Sequence, residues 1–291
     1  MNRSNTKSIL LLLKQFGFSD KTLSKIYENE DDILEVIFDK KHPFYNKYYE
    51  IYTDKERGIS EDYEKLVEFS QSFLIKMKEY KNKGIKILCR YSDDYPHHLF
   101  NGSNKPLFLY CFGNLELLNG STNKVAIIGT RNPTMQGRDK TKKYVRKYVL
   151  ENWITISGLA KGIDTIVHEE TIFNKGKTIA VIPTSFEKIY PVENTNLFRL
   201  IIQNGGLGIS IIGPFEITYK STFLERNTIV ANLCNEMFVI EASIKSGTLN
   251  TVRKGYEIDK KIYYDSSLID VDVRSYLDRF NAIDVVNGEE R

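Results

Sequence analysis

From Thr6 to about Lys83 apolar residues recur three and four positions apart, as in Ile9, Leu10, Leu12 and Leu13 and again in Ile33, Leu34, Val36 and Ile37. That is the period of helices that bury one face. Gly17-Phe18-Ser19-Asp20, between two such stretches, supplies a turn and N-cap residues. Beyond residue 84 the period changes. Residues 85–91 and 107–112 read as strands, separated by a loop holding Tyr95-Pro96 and Pro106. Short apolar runs then follow at 125–128, 154–156, 178–182, 208–212, 237–241 and 261–264, with helical stretches near 139–150, 164–173, 194–203, 224–233 and 249–258 between them.

Strand, crossover helix and strand, repeated with runs this apolar, predict an α/β fold: an extended Rossmann-like, parallel-centred sheet with helices on both faces. The expected organisation is a small helical domain over 1–84, of SAM or helix-hairpin-helix kind, the Rossmann-like domain over 85–265 and a C-terminal extension over 266–291. The extension carries a helical piece at 271–280 and a strand-like piece at 283–286.

Composition narrows the function by exclusion. With 41 Lys and Arg against 38 Asp and Glu the net charge is only +3, so a nucleic-acid surface has to come from local clustering. Cys89, Cys111 and Cys234 form no CxxC pair, and His97-His98 has no further ligands at helical spacing, which argues against a disulfide scaffold or a zinc site; no cofactor is expected. The apolar run 9–13 has no cleavage site after it, and nothing approaches the ~18 apolar residues of a membrane span. The expected location is therefore the cytoplasm, with no membrane partner, and the Asn-Gly-Ser triplets at Asn101 and Asn119 are loop sequences rather than glycan acceptors.

In an open parallel sheet, ligands bind beyond the carboxyl ends of the strands. The residues there form a pattern. After Ile128 comes Gly129-Thr130-Arg131-Asn132-Pro133, with Gly137 entering the helix; after Ile156 comes Ser157-Gly158-Leu159-Ala160-Lys161-Gly162-Ile163-Asp164; after Ile240 comes Glu241 and then Lys245-Ser246-Gly247-Thr248-Leu249. Each loop joins small residues to a cation and a helix N-terminus, the ingredients of an anion site. Neither a dinucleotide fingerprint nor a Walker spacing is present, so nicotinamide redox chemistry and ATP hydrolysis are unsupported.

These residues resemble a known family. Tyr95-Pro96, Gly129-Thr130-Arg131 with Pro133 and Gly137, and the block from Ser157 to Asp164 with His168 are similar to the DNA-processing protein A (DprA/Smf) family. Ala180-Val181, Tyr190-Pro191 with Asn194, Arg226-Asn227 and Lys245-Ser246-Gly247-Thr248-Leu249 with Thr251 continue the likeness in the same order. The resemblance implies a single-stranded DNA-binding protein without catalytic turnover, which protects incoming strands in DNA uptake, loads a RecA-type recombinase and works as a homodimer. By position it implies a strand-binding pocket made of Gly129, Thr130, Arg131, Ser157, Gly158, Lys161, Gly162, Arg226, Asn227, Lys245, Ser246, Gly247 and Thr248. The chain departs from the pattern at Thr228, where a second Arg is usual, at Ser210-Ile211 and after Tyr263-Tyr264, where Pro-Gly is missing.

Single residues carry further expectations. Arg131 and Lys161 are the first candidates for phosphate contact, followed by Lys245 and Arg226. Asp164 reads as the N-cap of the helix after it, His168 as a packed histidine, and Tyr219 and Phe223 as residues of the core or platforms for bases. A rival reading comes from the wider Rossmann-like superfamily: a nucleotide-binding sensor or N-glycosidic hydrolase, with Glu241 as general base and Gly205-Gly206-Leu207-Gly208 as a superficial glycine loop.

Overall fold

The computed structural model describes residues 3–30, 32–100 and 105–286; the Asn101 triplet lies outside them. The chain forms two compact units: one gathers residues up to Tyr95 with Pro106–Leu109 and Gly213–Ile217, and the other gathers the rest.

The first unit consists of α1 (Arg3–Phe16), α2 (Asp20–Tyr27), α3 (Ile33–Phe38), α4 (Tyr45–Tyr49), α5 (Asp54–Ser60), α6 (Tyr63–Asn82) and β1 (Ile85–Cys89). The apolar positions that set the helical period are its core: Leu10, Leu13, Leu23, Ile26 and Ile37 are fully buried. Ser19 is the N-cap of α2, its hydroxyl accepting from the Thr22 N–H at 3.2 Å. A capping box at Thr53 and Glu56 starts α5, and Glu56 also accepts from the Ser19 N–H at 2.9 Å.

The second unit runs through β2 (Phe108–Gly113, whose first two residues belong to the first unit), β3 (Lys124–Ile128), α7 (Met135–Leu150), β4 (Ile154–Ser157), α8 (Ile163–Phe173), β5 (Thr178–Val181), α9 (Thr195–Gln203), β6 (Leu207–Ser210), α10 (Lys220–Leu233), β7 (Glu236–Val239), α11 (Gly247–Tyr256), β8 (Lys261–Tyr264), α12 (Val271–Asp278) and β9 (Ile283–Asp284). Its strands lie in the order β2-β6-β5-β4-β3-β7-β8-β9, all parallel except for the β2–β6 pair.

Every residue of β3, β4, β5, β6 and β7 is buried, as a sheet covered on both faces requires. Val125 and Ile127 of β3 pack with Val145 and Tyr148 of α7 and Ile163 and Val167 of α8, while α10 lies against β3, β4 and β5. The alternation of runs thus predicts the architecture correctly. β3 is followed outward by β4, β5 and β6 on one side, and the chain then returns to place β7 on its other side. The loops after β3 and β7 therefore diverge at a topological switch point, where a crevice opens.

Candidate functional site

The crevice is a cavity of about 420 Å³ at the carboxyl ends of β3, β4 and β7. Of the residues expected there, Gly129, Thr130, Arg131, Gly158, Arg226, Asn227, Ser246, Gly247 and Thr248 line it. Ser157, Gly162, Lys161 and Lys245 do not.

The outliers have definite places. Ser157 is buried and its hydroxyl donates to the Ile127 carbonyl at 2.8 Å, tying β4 to β3. Gly162 has φ +80, and a Cβ there would sit 2.5 Å from the Thr130 and Arg131 carbonyls, so only glycine lets the two loops lie this close. The Ile163 N–H then donates to the Thr130 carbonyl at 3.1 Å. Lys161 points to Glu193 at 2.5 Å, both side chains more than half exposed, and Lys245 is exposed on the turn before α11.

Arg226 dominates the interior. It sits on α10, its side chain only 9% exposed, with Nη1 3.8 Å from the Asp164 carboxylate. Its Nε has no hydrogen-bond partner. Burial pushes its pKa down, opposed by Asp164 and reinforced by the charge of Arg131. The guanidinium lies where the side chain of residue 158 would otherwise be: a Cβ on Gly158 would fall 1.2 Å from Nη1.

Asp164 is not the N-cap of α8; that position belongs to Gly162, with no side-chain capping bond. The carboxylate of Asp164, in the first turn, instead accepts from the Gly158 and Ala160 N–H groups at 3.1 and 3.2 Å and faces Arg226. It thereby holds the β4–α8 loop closed under the cavity. Burial raises its pKa, against the pull of Arg226 and the two N–H donors. An Asp at a helix start is locally compatible with either role, and the course of the β4–α8 loop selects this one.

On the far wall, the Asn227 amide donates to the Gly247 carbonyl at 3.2 Å and the Thr248 hydroxyl to the Gly129 carbonyl at 3.0 Å, joining α10, α11 and the β3–α7 loop. Ser246 is the N-cap of α11, yet its hydroxyl makes no capping bond and has no partner. The cavity thus combines two buried polar groups without partners, Arg226 Nε and Ser246 Oγ, with the free N–H groups of a helix N-terminus. That is an arrangement for an anion. Phe223 and Leu224 add an apolar edge, and Phe223 meets the half-exposed Tyr190 edge-on with centroids 5.5 Å apart; Tyr219 is exposed.

His168 is fully buried, with Nδ1 2.8 Å from the Thr178 hydroxyl, and desolvation with the nearby Arg226 charge pushes its pKa to about 3. Glu241 does not line the cavity: its carboxylate accepts from the Thr134 N–H at 3.0 Å and from the Thr134 hydroxyl, at the start of α7. The Gly205-Gly206 pair precedes β6 and so lies at the opposite ends of the strands. Among the described residues no helix is long and apolar enough to cross a membrane.

Residues 86–276 match the model of the DNA recombination-mediator protein A family. The chain is 40% identical over 172 residues to the DNA processing protein DprA of Streptococcus pneumoniae, covering 59% of this chain and 59% of that protein. It is 33% identical to the Bacillus subtilis DprA, over 63% and 61%. The match thus spans about three-fifths of the length of these relatives. The X-ray structure of S. pneumoniae DprA superposes with a TM-score of 0.70 at 28% identity, covering 98% of this chain and 95% of that one. A Helicobacter pylori DprA structure, described by its single-stranded DNA binding mode, gives a TM-score of 0.60 at 28% identity over 70% and 91%. The resemblance carried by the Gly129-Thr130-Arg131 loop and the Ser157–Asp164 block is borne out, and the chain belongs to the DNA recombination-mediator protein A family.

Proposed function

We propose that this cavity holds the sugar-phosphate backbone of single-stranded DNA, with little sequence preference, and that the protein protects strands in the cytoplasm and passes them to a RecA-type recombinase during DNA uptake or recombination. The observation that carries this reading is Arg226. A guanidinium this buried, with one carboxylate at 3.8 Å and a free Nε, has lost most of its water without recovering a full set of partners. A phosphate oxygen supplies what is missing, Ser246 Oγ and the α11 N-terminus offer further donors, and the exposed Arg131 stands at the mouth.

Preference for single strands follows from the apolar edge. Phe223 and Tyr190 can meet the face of an unstacked base, which a duplex does not present. The family relationship and the single-strand binding of the H. pylori relative support the same reading. We read the protein as a binding protein rather than a hydrolase, because Glu241, the general base of the rival reading, is committed to Thr134 and does not line the cavity. We also read it as a homodimer; light scattering that gives a monomer at tens of micromolar, about the range where specific interfaces hold, removes that part.

An anisotropy titration with single strand, duplex and mononucleotide tests the whole. Arg226→Ala is expected to weaken single-strand binding by about 2–3 kcal/mol, roughly 30- to 150-fold, as for hydrogen bonds to a charged group. Arg131→Ala should flatten the logarithmic salt slope by about 0.7. Parent-like binding by Arg226→Ala, or preference for the mononucleotide with release of base, overturns the reading.

A further inference from the structure

The helix that leaves the Arg131 loop has an unusual charge. Over Met135–Leu150, α7 carries Arg138, Lys140, Lys142, Lys143, Arg146 and Lys147 against one carboxylate, Asp139, an excess larger than the +3 of the whole chain. Lys140 pairs with the buried Asp265 at 3.0 Å and Arg146 with Glu170 at 2.6 Å. Arg138, Lys142 and Lys143 are exposed and make no ion pair with the described residues.

Their spacing works against the helix. Arg138 and Lys142, Lys142 and Arg146, and Lys143 and Lys147 are like charges four residues apart, each pair destabilising an isolated helix. The first turn holds no acidic residue, so Arg138 also opposes the positive end of the helix dipole. A face selected only for solubility would alternate its signs. The opposite face, with Thr141, Val145 and Tyr148, is buried, so packing does not dictate what the exposed positions carry. A depression of about 450 Å³ lies on the exposed face, lined by Lys143, Arg146, Lys147 and Leu150 with Asp139 and Glu151.

We infer that the exposed basic face of α7 is a second phosphate-binding track, taking the backbone of the nucleic-acid strand where it continues past the cavity. Arg131 lines the cavity and its loop passes through Thr134 directly into α7, so the track begins where the cavity ends. From Arg138 to Lys147 it extends about 14 Å along the helix, at 1.5 Å per residue. A polyanion there relieves the repulsion that the free protein carries. This inference rests on the single-strand reading of the cavity.

The test is length dependence. Binding of an oligonucleotide of about six nucleotides, enough for the cavity, is compared with one of about thirty, beyond the ~4–16 nucleotides of a single compact site. The variant is Arg138→Ala/Lys142→Ala/Lys143→Ala, since alanine at exposed helical positions preserves the helix. The expected result is unchanged affinity for the short strand, a loss of about tenfold or more for the long one at ~0.15 M salt, and a salt slope for the long strand lower by about 2, at 0.7 per contact. Parent-like binding of both lengths overturns the track, and so does an equal loss for both, which would mark a diffuse field rather than a place. Arg226→Ala with the short strand reads the cavity separately: loss there with no length effect in the α7 variant keeps the cavity and discards the track.

Discussion

Arg226 at the back of the cavity and Lys161 on the loop beside it carry the same charge in opposite surroundings. Arg226 is enclosed by Gly158 and Asp164, with a fixed position and an unused donor, whereas Lys161 is more than half exposed and leans on an equally exposed Glu193. An exposed pair exchanges one weak, solvent-screened partner for another at little cost either way. A buried guanidinium cannot: its desolvation has already occurred on folding, so an arriving phosphate meets a donor that needs neither stripping of water nor ordering of the side chain. The difference predicts that affinity is concentrated in the enclosed cation and that the exposed one acts through long-range attraction.

Gly158→Ala bears most directly on that contrast. Its Cβ would occupy the place of Nη1, so the guanidinium must leave the cavity wall although its charge is retained. The expected loss in single-strand affinity approaches that of Arg226→Ala, about 2–3 kcal/mol, since position and not charge is what is lost. The anisotropy titration checks it, and a variant that binds as well as the parent would mean that the enclosure of Arg226 contributes nothing.

Behind the same wall, His168 provides a pH signature. Its pKa of about 3 in the fold against an ordinary 6.5 means that between those values the unfolded chain takes up a proton that the folded chain refuses. Stability contributed by the neutral imidazole is therefore complete above pH 6.5 and declines as pH falls toward 3, by up to about 1.4 kcal/mol per unit. Urea denaturation of parent and His168→Asn at several pH values should show a shallower acid decline in the variant; parallel curves would contradict it.

The smallest effect is expected at Lys161. Lys161→Ala should change unfolding stability by no more than about 0.5 kcal/mol and single-strand affinity by less than about 1 kcal/mol, mostly through the association rate at low salt. A loss as large as that of Arg226→Ala would erase the distinction between back wall and rim.

Much of this was legible along the chain because it depends on neighbours in sequence. The unbroken apolar runs at 125–128 and 237–240 announce strands buried on both faces, and the glycine, hydroxyl and cation residues in the loops after them announce turns into helix N-termini. The N-cap at Ser19 depends only on its own turn, and it forms as expected.

The roles of individual polar residues were decided elsewhere. Asp164 precedes a helix in sequence, and what assigns it to the Gly158 and Ala160 N–H groups is the curl of the β4–α8 loop. Lys161 is matched by Glu193, 32 residues away, and Glu241 by Thr134, 107 away. Arg226 looks in the sequence like any helical cation; it is buried because α10 lies across β3, β4 and β5 and Gly158 leaves a gap the size of a guanidinium. Hydrophobic period and turn chemistry are local properties, so the strands, their helices and the loops where an anion can sit follow from the order of residues alone. Whether a charge ends in water or in an enclosed wall depends on which distant backbone packs over it, and that is fixed by long-range packing in the folded chain.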